Sequence, residues 1–185
     1  MIIKKNLKKI KKEVLLYNIK LVKNCLVFMN FGNFSSRYND DFIIKPSGVD
    51  LKKINGDDMC LYSTKGKYKP SVDAPMHSFI YKNFHKVNSI IHTHSKFATA
   101  FAQASKKIYC LGTTHADYFK GSIPIIKMPS KKQVINNYEL NLGKLIVSYF
   151  EKNKISYLNI QGALLENHGV VTWGENAKNV LKTHC

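Results

Sequence analysis

A chain of 185 residues is long enough for one domain with a sizeable core and too short for two ordinary ones. Apolar residues (44%) are spread throughout, no run nears the roughly 20 that cross a bilayer, and the basic N-terminus lacks a signal peptide's apolar stretch and cleavage site, so a globular cytoplasmic protein without membrane contact is expected. The formal charge of +17 would suit a nucleic-acid partner, but Arg37 is the single arginine among 29 basic residues, so a solvated lysine surface without nucleic acid is the reading.

In chain order, residues 7–24 carry Leu7, Ile10, Val14, Leu15, Ile19 and Val22 at helical spacing. Leu26–Phe31 reads as a strand, Gly32–Ser36 as the turn into a second strand, and Asp41–Lys45 as a strand broken by Pro46-Ser47-Gly48. Met59–Ser63 is another short strand. A helix follows over 74–84, with Met76, Phe79, Ile80 and Phe84 on one face and Asp73 at its N-cap position. Next come a strand bearing His92 and His94, a helix from Ser95 through Ala104, a strand over Gly121–Lys127 and a helix over Gln133–Glu151. Residues 161–167 and 170–174 read as strands flanking His168-Gly169, and a last helix opens near Glu175-Asn176. The alternation predicts one α/β domain spanning 1–185, its mainly antiparallel or mixed sheet covered by helices. Cys25, Cys60, Cys110 and Cys185 form no CxxC pair, so free and mostly buried thiols are expected.

His92-Thr93-His94 closes the apolar run Val87–Ile91. Side chains at i and i+2 on a strand share a face, so two imidazoles can grip one ion without backbone distortion. His168 ends a second apolar run and precedes Gly169. Three strand-end histidines with a position left open describe a catalytic zinc site. His77, His85 and His184, standing singly, read as ordinary core or surface residues. Asp73 reads as an N-cap on its own and as a ligand or orienting carboxylate if it neighbours the metal. Gly32-Asn33, Ser47-Gly48 and Ser71 fall at turns whose N–H and hydroxyl groups can surround a phosphate, and Lys45 could add charge. The segment Gly112–Tyr118 holds His115 and Asp117 among hydroxyls; it could supply a general acid or base, or be a plain hydrogen-bonded loop.

Phe31-Gly32-Asn33, Ile44–Asp50 (IKPSGVD), Ile91–Ser95 (IHTHS), Gly112–Phe119 (GTTHADYF) and Asn167-His168-Gly169 through Trp173-Gly174 occur in the order seen in the class II sugar-phosphate aldolases and epimerases. The chain resembles that family from its first helix to Cys185, on the side of the pentulose-phosphate epimerases. The resemblance implies Zn2+ on His92, His94 and His168, with Asp73 as the acidic residue at the metal; the related aldolases carry glutamate there. It implies Gly32, Asn33, Ser47, Gly48 and Ser71 at the phosphate and substrate, and Asp117 as one of two acid/base residues. Val72 stands where the epimerases usually have serine. The implied activity interconverts L-ribulose 5-phosphate and D-xylulose 5-phosphate by retro-aldol and aldol steps, in a cyclic homotetramer. Alternatives are a sugar-phosphate aldolase or an inactive metal-binding remnant. Relative to the family, a C-terminal helical segment bearing the second acid/base, a tyrosine, is expected to be missing after Cys185.

Overall fold

The computed structural model describes residues 6–185. Helix α1 (Leu7–Lys23) starts where Asn6 accepts a hydrogen bond from the Lys9 N–H. It buries Ile10, Val14 and Leu21 along one stripe. Asn18 lies in the same stripe, and its side-chain amide makes a two-way bond to the backbone of Phe34, N–H to Oδ1 at 3.0 Å and Nδ2 to C=O at 3.1 Å. A buried amide so paired carries little desolvation cost and fixes α1 on the sheet.

The sheet comprises β1 (Gly32–Tyr38), β2 (Asp41–Ile44), β3 (Cys60–Leu61), β4 (Ser89–Thr93), β5 (Ile125–Ile126), β6 (Gly162–Leu165) and β7 (Gly169–Gly174), in the order β3-β2-β1-β4-β7-β6-β5. All neighbours are antiparallel except β5 and β6. The expected helix-covered, mainly antiparallel α/β domain is the observed one.

Helices sandwich the sheet. On one face α2 (Ala74–Asn83) and α6 (Tyr138–Lys152) bury Met76, Ile80, Ile146 and Phe150 against Ile90, Val171 and Trp173. On the other, α1 and α7 (Ala177–His184) pack against Phe34, Ile43 and Ile91. Alternation along β4 therefore sends Ile90 and His92 to the α2/α6 face, and Ile91 and Thr93 to the α1/α7 face. Gly143 on α6 would place a Cβ 2.9 Å from the Met76 carbonyl, so its bare backbone is what lets α2 and α6 approach so closely. Arg37 spends its charge internally, donating to the carbonyls of Val87 (2.8 Å) and Tyr81 (2.7 Å) behind α2.

Several elements differ from the sequence reading. Leu26–Phe31 is not a strand: Cys25 and Met29 take left-handed backbone (φ 55° and 53°), and Phe28 bridges Phe31 in a tight turn. The predicted turn at Gly32–Ser36 is instead the first part of β1, a central strand. Its buried polar side chains find partners on neighbouring helices, as Ser35 does with His77 Nδ1 (2.7 Å) and Tyr81 (2.8 Å). The helix expected over 133–151 is two, α5 (Lys131–Ile135) and α6, broken at left-handed Asn137 (φ 59°). Strands expected at 59–63 and 121–127 shrink to two residues each, and the strand expected over 161–167 ends at Leu165. Helix α3 (Lys96–Gln103) matches, while within Gly112–Tyr118, for which a plain hydrogen-bonded loop is one reading, residues 113–116 form the short helix α4 (Thr113–Ala116). The cysteines are free but not mostly buried: Cys25 and Cys185 are exposed, Cys60 and Cys110 half-buried.

Candidate metal and anion site

His92 is buried on β4, and His94 lies one residue beyond the strand's end. His168 is in the three-residue hairpin loop joining β6 to β7, where left-handed Asn167 (φ 58°) and the bond from His168 N–H to Leu165 C=O (3.0 Å) make the turn. Pairing of β4 with β7 brings that loop beside His92 and His94. The three ring centroids stand 4.8, 4.9 and 5.0 Å apart, close to an equilateral triangle. One nitrogen from each falls within 4.8 Å of the others. A Cβ on Gly169 would stand 2.5 Å from the Thr93 carbonyl and 2.7 Å from His94 Cδ2, so only glycine lets the loop close on the strand.

The nitrogens are poised to ligate. His92 Nδ1 lies 3.0 Å from the Val170 carbonyl, which can only accept, so Nδ1 carries the proton and Nε2 keeps a lone pair. Burial, then repulsion from its ring neighbours, pushes His168 down to about 4 and lowers His94 in the same way, keeping both neutral.

Asp73 has helical backbone angles at the N-cap position and makes no capping bond. Its Oδ2 instead accepts from Asn33 Nδ2 at 2.6 Å and Ser71 Oγ at 3.4 Å. Burial raises its pKa, but the nearby His92 and His77 rings and the Asn33 hydrogen bond favour the carboxylate and leave it below the usual range. Asp73 lines the histidine pocket without belonging to the tight cluster of three.

The same pocket, about 330 Å³, gathers most of the predicted anion-binding residues: Gly32, Lys45, Ser47, Gly48 and Ser71. Reciprocal backbone bonds, Ser47 N–H to Lys69 C=O and Ser71 N–H to Lys45 C=O (both 2.9 Å), lay the two loops side by side. Lys45 is buried, and its Nζ donates to the Asn30 carbonyl at 3.0 Å, leaving two donors. Burial lowers its pKa and Asp73 partly restores it. Asn33 is a wall residue of a different kind, buried behind the pocket and holding Asp73. Val72 is exposed at the rim.

Asp117 is not brought to this pocket. It caps α4 and lines a separate cavity with Lys120, Asn159 and Lys182. Conversely, Tyr138 and Glu139 at the start of α6 line the histidine pocket and were not singled out from sequence. Tyr138 Oη lies 3.2 Å from His168 Nδ1. Their signal was the asparagine pair Asn136-Asn137, which could have marked a helix start one residue before Tyr138. His77 and His184 are buried in the core, His184 bonded through both ring nitrogens and His77 through Nδ1 only.

Three imidazoles with a carboxylate at hand form a donor set that fits a borderline divalent ion such as zinc.

The pattern of the Class II Aldolase and Adducin N-terminal domain matches residues 12–184. The L-ribulose-5-phosphate 4-epimerase UlaF of Salmonella paratyphi B is 37% identical over 182 residues, covering 95% of this chain and 79% of the relative. UlaF of Salmonella choleraesuis matches to the same extent, 37% over 95% of this chain and 79% of its own. Among solved structures, an L-fuculose 1-phosphate aldolase superposes with a TM-score of 0.75 at 22% identity, covering 95% of this chain and 80% of that one. A sugar-phosphate aldolase from Thermotoga maritima does so at 0.72 and 15% identity, covering 96% and 89%. These structural likenesses carry the fold. With the domain matched over nearly the whole chain and its relatives aligned across 95% of it, the chain belongs to the Class II Aldolase and Adducin N-terminal domain family.

Proposed function

We propose that the chain is a zinc-dependent L-ribulose-5-phosphate 4-epimerase, inverting C4 to give D-xylulose 5-phosphate by breaking and re-forming the C3–C4 bond. The observation that carries this reading is the convergence, in one pocket, of three equidistant imidazoles with a buried lysine and two serines. The 37% identity to UlaF supports the choice of reaction.

His92, His94 and His168 would hold the ion, with Asp73 beside them. A bound zinc ion supplies Lewis-acid polarisation of a sugar carbonyl. Lys45, Ser47, Ser71 and the N–H groups of the Gly48 turn anchor the phosphate as charge-assisted donors. Asn33 orients Asp73, and Gly32, whose Cβ would stand 2.9 Å from the His92 carbonyl, offers bare backbone to the pocket wall. An anchored phosphate keeps the aldehyde fragment, glycolaldehyde phosphate, in place while it turns over between the two steps. Asp117 would move a proton at the C4 oxygen. Since it lines a separate cavity of its own chain, this role requires it to face the histidine pocket of a second copy, in keeping with a homotetramer.

The deciding experiment incubates the zinc-loaded protein with L-ribulose 5-phosphate and follows both products with coupling enzymes. D-xylulose 5-phosphate is the expected product. Glycolaldehyde phosphate accumulating alone would replace the epimerase reading by an aldolase. Stoichiometric zinc without turnover would mean a metal-binding remnant.

A further inference from the structure

The break at Asn136-Asn137 makes Tyr138 the first residue of α6 and sets its ring against His168, with centroids 5.8 Å apart and the hydroxyl 3.2 Å from Nδ1. Tyr138 also lines the pocket that holds Lys45, Ser47 and Ser71. A neutral imidazole carries one proton. If Nε2 of His168 gives its lone pair to an ion shared with His92 and His94, that proton sits on Nδ1. His168 then donates and Tyr138 Oη accepts. The phenol's own proton is released from that bond and available to the cavity.

We propose that Tyr138 is a positioning residue of this site: its hydroxyl accepts from His168 Nδ1, fixing the metal-binding tautomer, and turns its own proton toward an oxygen of the bound sugar phosphate. The inference rests on the metal reading above. Without an ion the proton of His168 is free to sit on Nε2 and the Tyr138 bond to run the other way, so ion loading sets the direction of the bond. His92 has the equivalent support from the Val170 carbonyl, which cannot reverse. Tyr138 is therefore the adjustable member of the pair. Oxygen partners of metal-bound imidazoles are commonly worth about 10- to 100-fold in metal affinity.

Two measurements test it. Competition against a chromophoric zinc chelator compares wild type, Tyr138→Phe and His92→Ala. Tyr138→Phe keeps the ring and is expected to bind one zinc about 10-fold more weakly, and at saturating zinc to show a several-fold higher KM for L-ribulose 5-phosphate. Zinc affinity equal to wild type overturns the tautomer role. Weakened affinity with an unchanged KM overturns the donor role. The second measurement needs no substitution: nitrogen NMR of the wild-type imidazoles locates the His168 proton. It is expected on Nδ1 when zinc is bound, and a proton on Nε2 in the loaded protein overturns the proposal. If wild type takes up no zinc, or His92→Ala takes up as much, the metal reading itself has failed, a result distinct from failure at Tyr138 alone.

Discussion

Histidines lie against both faces of the β4–β7 pair, His184 of α7 on one and His92, His94 and His168 on the other, and the two faces treat them in opposite ways. On the α2/α6 face, His92, His94 and His168 point at one another, each about 5 Å from the next. On the α1/α7 face, His184 is held by two threonines, Nε2 at 2.7 Å from Thr93 Oγ1 and Nδ1 at 2.8 Å from Thr172 Oγ1. Both ring nitrogens of His184 are satisfied within the fold, so nothing is left for a ligand. The three facing rings instead bring one nitrogen each within 4.8 Å of the others. Burial alone does not separate a candidate ligand from a core residue, since His184 and His92 are both buried. For these two rings the difference is that both nitrogens of His184 have partners in the protein, whereas His92 has one, on Nδ1, and turns Nε2 to the other two rings.

The contrast is broken most severely at His92. His92→Ala removes a ligand rather than a support, and zinc affinity should fall by more than about 100-fold, with turnover lost; chelator competition measures it, and full occupancy in this variant would refute the assignment. Gly169→Ala should come next. Its Cβ meets the Thr93 carbonyl and His94, and the loop can close only by shifting the strand, at about 2–3 kcal/mol in urea unfolding together with weaker zinc binding.

The satisfied face should announce itself through pH. Burial pushes His184 down to about 3 from an ordinary 6.5. The unfolded chain therefore takes up the proton first as pH falls. Stability from this group is fully present above about 6.5 and is lost progressively toward 3, about 2 kcal/mol of it by pH 5. His77, also pushed by burial to about 3 despite the opposing pull of Asp73, behaves with the same sign. Urea midpoints of the metal-free protein at pH 7 and pH 5 should differ accordingly, and His184→Gln should remove its share of the difference. A variant with an unaltered pH slope would show that His184 is not the buried titrating group. The smallest effect is expected for Thr172→Val, which strips one partner from His184 and should cost about 1–2 kcal/mol of stability while leaving zinc affinity unchanged. A zinc defect in that variant would mean that the two faces are coupled through the strands.

The class of fold and the histidine cluster are legible because both rest on local signals. Apolar spacing marks α1, α2 and β4, and the i, i+2 rule places His92 and His94 on one face wherever the strand goes. β1 is not legible in the sequence because its signals are tertiary. Gly-Asn-Phe-Ser-Ser looks like a turn until Asp73, His77, Tyr81 and Asn18 arrive to satisfy its polar groups. Leu26–Phe31 erred the other way, its apolar residues suggesting a strand that two left-handed positions forbid.

What this sequence determined by itself is the list of groups able to do chemistry: the histidine pair, the third histidine before a glycine, the acid before a helix, and the lysine and serines at turns. Which of them meet was decided only by tertiary structure, because convergence depends on strand pairing and helix placement rather than on spacing along the chain. The β4–β7 register carries His168 to His92, and the Asn33 bond turns Asp73 from a cap into a pocket carboxylate. The helix break brings in Tyr138, while Asp117, named with the same motifs, is directed to another cavity of the same chain.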